Sequence, residues 1–142
     1  MSIIERFCEF YSELHKVNPD DLDSIYTADI EFIDPITTHH GLDNVIAYFS
    51  KLLNETQSCR FDIHETLLSQ KDNTSAYTVI WTMHLVLAQP AKTITLDGVS
   101  IVTVRDDKIF YHRDYYDMGE MVYEHIPLLR WIIKKIKARL AS

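Results

Sequence analysis

An α+β domain, with helices segregated to one side of a sheet, is the fold class this sequence predicts. Two observations carry the prediction. Apolar spacing is helical over most of the first third of the chain, then changes to a period of two near Cys59. Consecutive strand-like segments follow without helices between them, and a helix closes the order.

Each element has a local reason. Ser2 with Glu5 forms a capping-box pattern, and Ile3, Phe7, Phe10, Tyr11 and Leu14 follow at helical spacing. Asn18-Pro19 stops this first helix, and Asp20 caps a short second one over about 21–26. The stretch "IEFIDPITTHHG" (30–41) opens as a half-buried strand, with Ile30, Phe32 and Asp34 on one face and Glu31 and Ile33 on the other. Gly41 breaks the chain before a third helix, whose stripe is Leu42, Val45, Ile46, Phe49, Leu52 and Leu53.

Cys59, Phe61 and Ile63 then alternate with Arg60, Asp62 and His64. "KDNTS" (71–75) reads as a turn into a long strand. One face of that strand is Tyr77, Val79, Trp81, Met83, Leu85 and Leu87; the other is Thr78, Ile80, Thr82, His84 and Val86. Gln89-Pro90-Ala91-Lys92 connects to a strand of about 93–104, Asp106-Asp107 makes a tight turn, and "KIFYHRDYYD" (108–117) returns. A last helix runs over about 120–140, kinked or restarted at Pro127. No repeat, linker or low-complexity segment interrupts this order, so residues 1–142 read as a single domain.

The totals narrow the function classes. A length of 142 residues suits one sizeable core. No apolar run reaches the length of a membrane span, and "MSIIERFCEF" lacks the basic start of a secretory signal. Cys8 and Cys59 form neither a metal spacing nor a disulfide framework, so a cytoplasmic location is the expectation. A net charge of −7 argues against nucleic acid as a partner. Three glycines, at 41, 98 and 119, leave no phosphate loop, and there is no G-x-S-x-G nucleophile motif. His39 and His40 are adjacent in an extended loop and point apart, while His15, His64 and His125 lack the spacing of a zinc helix. No metal and no cofactor are expected.

The element order and the segment "IYTADIEFIDP" (25–35) resemble the nuclear transport factor 2-like superfamily, which includes SnoaL-like cyclases, ketosteroid isomerases and limonene-type epoxide hydrolases. The resemblance covers nearly the whole chain. It implies a cone: a strongly curved antiparallel sheet wrapped over helices around a deep apolar pocket. Asp34-Pro35 matches the proton-transferring acid of ketosteroid isomerases. In those isomerases a second acid and a tyrosine form the oxyanion hole; here those positions fall at Ser100 and at Phe10, beside Tyr11. Asp114, after Arg113, matches one acid of the epoxide hydrolase Asp-Arg-Asp group, whose other two positions fall at Ile80 and Thr82.

The resemblance thus implies that Phe32, Asp34, Ile80, Thr82, His84, His112, Asp114 and Tyr116 face the pocket, with Ser100 and Tyr11 also among the ligand-binding residues. A desolvated carboxylate becomes a stronger base, so Asp34 is expected to be buried with a raised pKa. His112 and Asp114 are its proton partners and Tyr116 a hydrogen-bond donor. The ligand implied is a small hydrophobic molecule, isomerised, cyclised or hydrated by Asp/His chemistry. The alternative is a non-catalytic ligand-binding or dimerisation module of the same fold.

Two surfaces suggest partners. Tyr77, Val79, Trp81 and Met83, extended by Val99, Ile101 and Thr103, are too apolar for a wet sheet face and predict a homodimer. In "PLLRWIIKKIKARLAS" (127–142), Leu129, Ile132, Ile133, Ile136 and Leu140 share one side of a helix and five bases flank it. That helix either closes the pocket as a lid or makes peripheral contact with an anionic membrane.

Overall fold

A computed structural model describes residues 1–88 and 92–142; the Gln89-Pro90-Ala91 part of the expected connector lies outside the described residues. Among the described residues, four α-helices, α1 (Ile3–Ser12), α2 (Leu42–Asn54), α3 (Met118–Met121) and α4 (Pro127–Ala141), accompany six strands. The strands are β1 (Tyr26–Ile33), β2 (Thr38–His40), β3 (Thr56–Lys71), β4 (Thr74–Leu87), β5 (Lys92–Arg105) and β6 (Lys108–Tyr116). They form one curved sheet in the order β2-β1-β6-β5-β4-β3.

The sheet is mixed where an antiparallel one is expected. β3 to β6 form an antiparallel meander, but β1 runs parallel to β6. A parallel pair needs a long connection, and here everything between β1 and β6 supplies it. The β3–β4 and β5–β6 hairpins each turn on two residues with positive φ: Asp72 and Asn73 (52° and 62°), then Asp106 and Asp107 (50° and 61°). Those are the left-handed positions of a type I′ turn, which Asp and Asn tolerate.

The first helix begins as its capping box requires. Glu5 N–H donates to Ser2 Oγ, and Ser2 N–H donates to Glu5 Oε2. It ends at Ser12, earlier than the Asn18-Pro19 stop, because Glu13 leaves helical geometry and bridges Arg60 of β3. His15 Nδ1 lies 3.0 Å from the Cys59 carbonyl oxygen and holds the same junction. The expected helix at 21–26 is instead a 3-10 turn over Pro19–Ser24, capped by Asn18, whose Oδ1 accepts from Asp20 N–H. Tyr26 already belongs to β1.

The core lies between the concave sheet face and α1 and α2. Phe7, Phe10 and Tyr11 from α1 and Val45 and Phe49 from α2 meet Ile30 and Phe32 of β1 and Val79, Trp81, Met83 and Leu85 of β4. The alternation within β4 is as the sequence predicts, but the two faces are exchanged. Val79, Trp81 and Met83, expected at a dimer interface, are buried inside. Ile80, Thr82 and His84, expected in the pocket, lie on the opposite face. Burial decides the phase: each large apolar side chain removed from water contributes roughly 1.5–3 kcal/mol, and the Trp81 face carries far more of that area.

Candidate functional site

A cavity of about 760 Å³ opens within the concave side. Its walls are largely aromatic: Tyr11, Phe32, Tyr48, Phe49, Phe61 and Trp81. Phe32 packs edge-on to Phe49 at 5.7 Å between centroids, and Phe61 edge-on to Trp81 at 5.0 Å. The exposed lining residues Ile36, His40 and Lys51 mark the rim. Polar groups enter this apolar space from β6, β5 and the β1–β2 turn.

The register of the sheet builds the polar end. Phe32 pairs with His112, Val102 with His112, Ser100 with Asp114, and Gly98 with Tyr116. Directly paired residues share a face, as do residues two apart on one strand. His112, Asp114 and Tyr116 therefore stand in a row on β6, all facing inward.

A chain of hydrogen bonds runs through that row. Tyr11 and Tyr26 hydroxyl oxygens are 2.7 Å apart, and Tyr26 OH is 2.7 Å from His112 Nδ1. His112 Nε2 is 2.6 Å from Asp114 Oδ1. The same carboxylate oxygen accepts from Ser100 Oγ at 2.5 Å, and Ser100 Oγ accepts from the Trp81 indole N–H at 2.9 Å. An ionised carboxylate can only accept, so Nε2 carries a proton toward it. In the neutral imidazole Nδ1 is then the acceptor for Tyr26, and Tyr26 for Tyr11. Protons are thereby ordered in one direction from Tyr11 to Asp114.

Two consequences follow for Asp114. Its Oδ1 is held by His112 and Ser100, while Oδ2 has no hydrogen-bond partner among the described residues. Its side chain is 19% exposed and lines the cavity. His112 sits behind it, 1% exposed, and is not among the lining residues. A carboxylate that lines an apolar space, with one oxygen held by a buried imidazole and the other free, is equipped to take a proton.

Asp34 is buried, at 8% exposure, and lines the same cavity. Its oxygens are occupied. Oδ1 accepts from Ile36 N–H at 2.8 Å and Thr37 N–H at 3.0 Å, and Oδ2 accepts from Tyr48 OH at 3.1 Å. Thr37 O accepts from Asp34 N–H, closing the turn into β2. These three donors replace water around the carboxylate. The geometry gives Asp34 the work of an Asx turn.

Burial fixes the state of the hydroxyls and thiols around the cavity. Desolvation, then the charge of Asp34, pushes the Tyr48 phenol well above its ordinary range. Tyr116, which lines the cavity with both carboxylates, is raised by desolvation first and by the charges of Asp34 and Asp114 next. Tyr11 and Tyr26 are raised chiefly by burial. All four remain donors at neutral pH. Burial also pushes the Cys59 thiol up to about 12, so this lining cysteine is not a nucleophile.

The structure thus brings together Tyr11, Phe32, Asp34, Ser100, His112, Asp114 and Tyr116 of the expected set. Ile80, Thr82 and His84 stand apart on the convex face. There Thr82 Oγ1 donates to Asp97 Oδ1 and lies 2.7 Å from His64 Nε2, while His84 Nε2 is 2.9 Å from Asp62 Oδ2. Sequence reasoning missed Tyr26 and Tyr48 as site-forming residues, while His39 and His40, adjacent in β2, both line the cavity. His39 stacks on Tyr48 at 4.4 Å and 15°, with its Nε2 buried and unpartnered among the described residues. No group of three or more His, Cys, Asp or Glu able to hold a metal occurs among the described residues.

Comparison with known proteins agrees with this architecture. A family model described as a SnoaL-like domain matches residues 5–112. None of the curated proteins matches the chain. Among solved structures, an NTF2-like protein of unknown function from Burkholderia pseudomallei K96243 is 20% identical, covers 86% of this chain and 96% of its own, and has a TM-score of 0.72. A protein with a ketosteroid isomerase-like fold from Catenulispora acidiphila DSM 44928, in complex with trimethylamine, is 14% identical over 83% of this chain and 87% of its own, with a TM-score of 0.69. TerC, co-crystallised with polyporic acid, is 20% identical over 84% and 94%, also with a TM-score of 0.69.

Proposed function

The chain belongs to the SnoaL-like family, and from that premise we propose that it binds a small, largely apolar ring-bearing molecule and moves a proton on it, with Asp114 as the base. One observation carries the reading: Asp114 lines the cavity with its Oδ1 fixed by His112 and Ser100 and its Oδ2 without a hydrogen-bond partner among the described residues. The small molecules bound by two structures of the same fold support ligand binding as the use of such a cavity.

The mechanism uses these residues in distinct roles. A ring ketone lies between the aromatic walls, which exclude water from the reacting carbon. Asp114 Oδ2 takes the proton next to the carbonyl. His112 Nε2–H and Ser100 Oγ–H hold the carboxylate in place throughout. Tyr116, two residues along the same face of β6, donates to the oxygen on which charge develops; its raised pKa keeps the proton on the phenol until then. Where the ketone carries a β,γ double bond, loss of this proton gives a dienolate, and returning the proton from Asp114 to its γ carbon completes an isomerisation to the conjugated ketone; without that double bond the proton returns to the α carbon. Asp34 anchors the β1–β2 turn and Tyr48, shaping the wall.

Deuterium wash-in tests this reading. A panel of one- to three-ring ketones is incubated with the protein in D₂O and exchange next to the carbonyl is followed by NMR. Binding is followed in parallel by Trp81 fluorescence in a Trp131→Phe background, since Trp131 lies exposed on α4. Accelerated exchange of a bound ketone is the expected result. Ketones that bind without any acceleration would instead make the cavity a binding module.

A further inference from the structure

We propose that α4 docks the protein onto an anionic lipid bilayer. None of the side chains of α4 is buried against the body of the protein, and Leu128, Ile136 and Leu140 are 68%, 52% and 81% exposed. No α4 residue lines the cavity, so the lid expected from sequence is not formed among the described residues.

The chemistry of the helix selects a lipid surface. At about 100° per residue, Leu129, Ile132, Ile133, Ile136 and Leu140 form one stripe. Lys135 and Arg139 flank it on one side, and Arg130 and Lys137 on the other, with Lys134 and Trp131 opposite the stripe. Five bases and no acid occupy α4, in a chain whose net charge is −7. The nearest acid, Glu124, is paired with Lys137 at 3.4 Å. A helix lying in the interface buries its apolar stripe among the acyl chains while flanking bases reach lipid phosphates and carboxylates. Trp131 stays above that plane, with Lys135 Nζ 4.5 Å from its ring centroid.

A second copy of the chain is the weaker occupant on area. Fifteen residues span about 22 Å at 1.5 Å each. A stripe of that length presents a few hundred Å² at most, well short of the roughly 800 Å² per partner of a standard interface. A bilayer has no such minimum. The function that results is positional: a cavity for apolar molecules is held beside the phase into which such molecules partition.

Co-sedimentation of the full chain with vesicles tests the proposal. Vesicles of phosphatidylcholine alone are compared with vesicles containing phosphatidylserine, at low and high salt. Binding is expected only with phosphatidylserine, and it should fall as salt rises. Each base near an anionic surface strengthens binding roughly fivefold, so Lys134→Glu/Lys135→Glu/Lys137→Glu should weaken it by at least about a hundredfold. Ile132→Asp/Ile136→Asp keeps every base and should also release the protein. Because no α4 side chain is buried, Ile132→Asp/Ile136→Asp should unfold at the wild-type temperature, and the Lys→Glu variant, which also loses the Lys137–Glu124 pair, within a few degrees of it. No binding to anionic vesicles at low salt would overturn the proposal. So would binding unchanged in either variant, or a dimer in solution that Ile132→Asp/Ile136→Asp dissociates.

Discussion

The indole of Trp81 lies directly across Gly98, its cross-strand partner on β5, so closely that a Cβ at Gly98 would overlap the ring. The ring fits there because the position has no side chain. From that seat the indole N–H reaches Ser100, and Ser100 reaches Asp114. A glycine on a neighbouring strand therefore helps position a carboxylate two hydrogen bonds away. Gly98→Ala should displace the ring at a cost of about 1–3 kcal/mol, lowering the Tm by several degrees. The same variant should shift the Trp81 emission. Unchanged emission and Tm would mean that the ring is not seated as described.

Asp34 and Asp114 should separate by substitution. Asp34→Asn keeps the oxygen that accepts from Ile36 and Thr37, so the turn should survive with little loss of stability. Asp34→Ala leaves two backbone donors and the Tyr48 hydroxyl without their acceptor, a loss of roughly 1–3 kcal/mol. Chemical denaturation of both variants measures the difference. Equal destabilisation by Asn and Ala would remove the turn-anchoring role.

Alkaline pH should destabilise the protein before the arginines titrate. Burial raises the Cys59 thiol from 9.0 to about 12, and raises Tyr11 and Tyr26 in the same direction. In this window the unfolded chain has lost protons that the folded chain keeps, so stability falls as pH rises. The Cys59 contribution is fully present below pH 9.0 and is lost progressively toward about 12. Denaturation midpoints measured across that window should decline, and Cys59→Ala should decline less steeply. A flat profile would contradict the burial of these groups.

Dimerisation is still expected, but not through Trp81. The convex face keeps an apolar strip of Ile80, Val99 and Ile101 beside the polar network of Asp62, His64, Thr82, His84 and Asp97. A two-fold dimer through that strip should sediment as such at micromolar concentration, and Ile101→Glu should dissociate it. A wild-type monomer under the same conditions would rule the interface out.

The legible part of the fold was set by local chemistry. The Ser2–Glu5 capping box, Gly41 before α2, the Asp-Asn and Asp-Asp turns and the restart at Pro127 each act over a few residues, and each appears where its chemistry places it. Less legible was whatever depends on pairing across the sheet. The phase of β4 turned on which face the helices cover, and the larger apolar area of the Trp81 face was the signal available. Tyr26 is in phase with Ile30 and Phe32 of β1, and it was hidden only because the expected helix over 21–26 absorbed it. Tyr48 flanks the Val45–Phe49 stripe of α2, so a helical wheel could have found it. Period two put His112, Asp114 and Tyr116 on one face and the family resemblance turned that face inward; which acid keeps a free oxygen was not readable, because that depends on the donors each one meets.

Whether Asp114 rather than Asp34 is the base can be decided by deuterium wash-in into a bound ring ketone, measured for Asp114→Asn and Asp34→Asn at equal ligand occupancy. General base catalysis typically contributes about 10²–10⁴-fold, so Asp114→Asn should lose that much of the exchange rate while Asp34→Asn stays within a few-fold of wild type. Full exchange in Asp114→Asn, or its loss in Asp34→Asn alone, would contradict the assignment of Asp114 as the base.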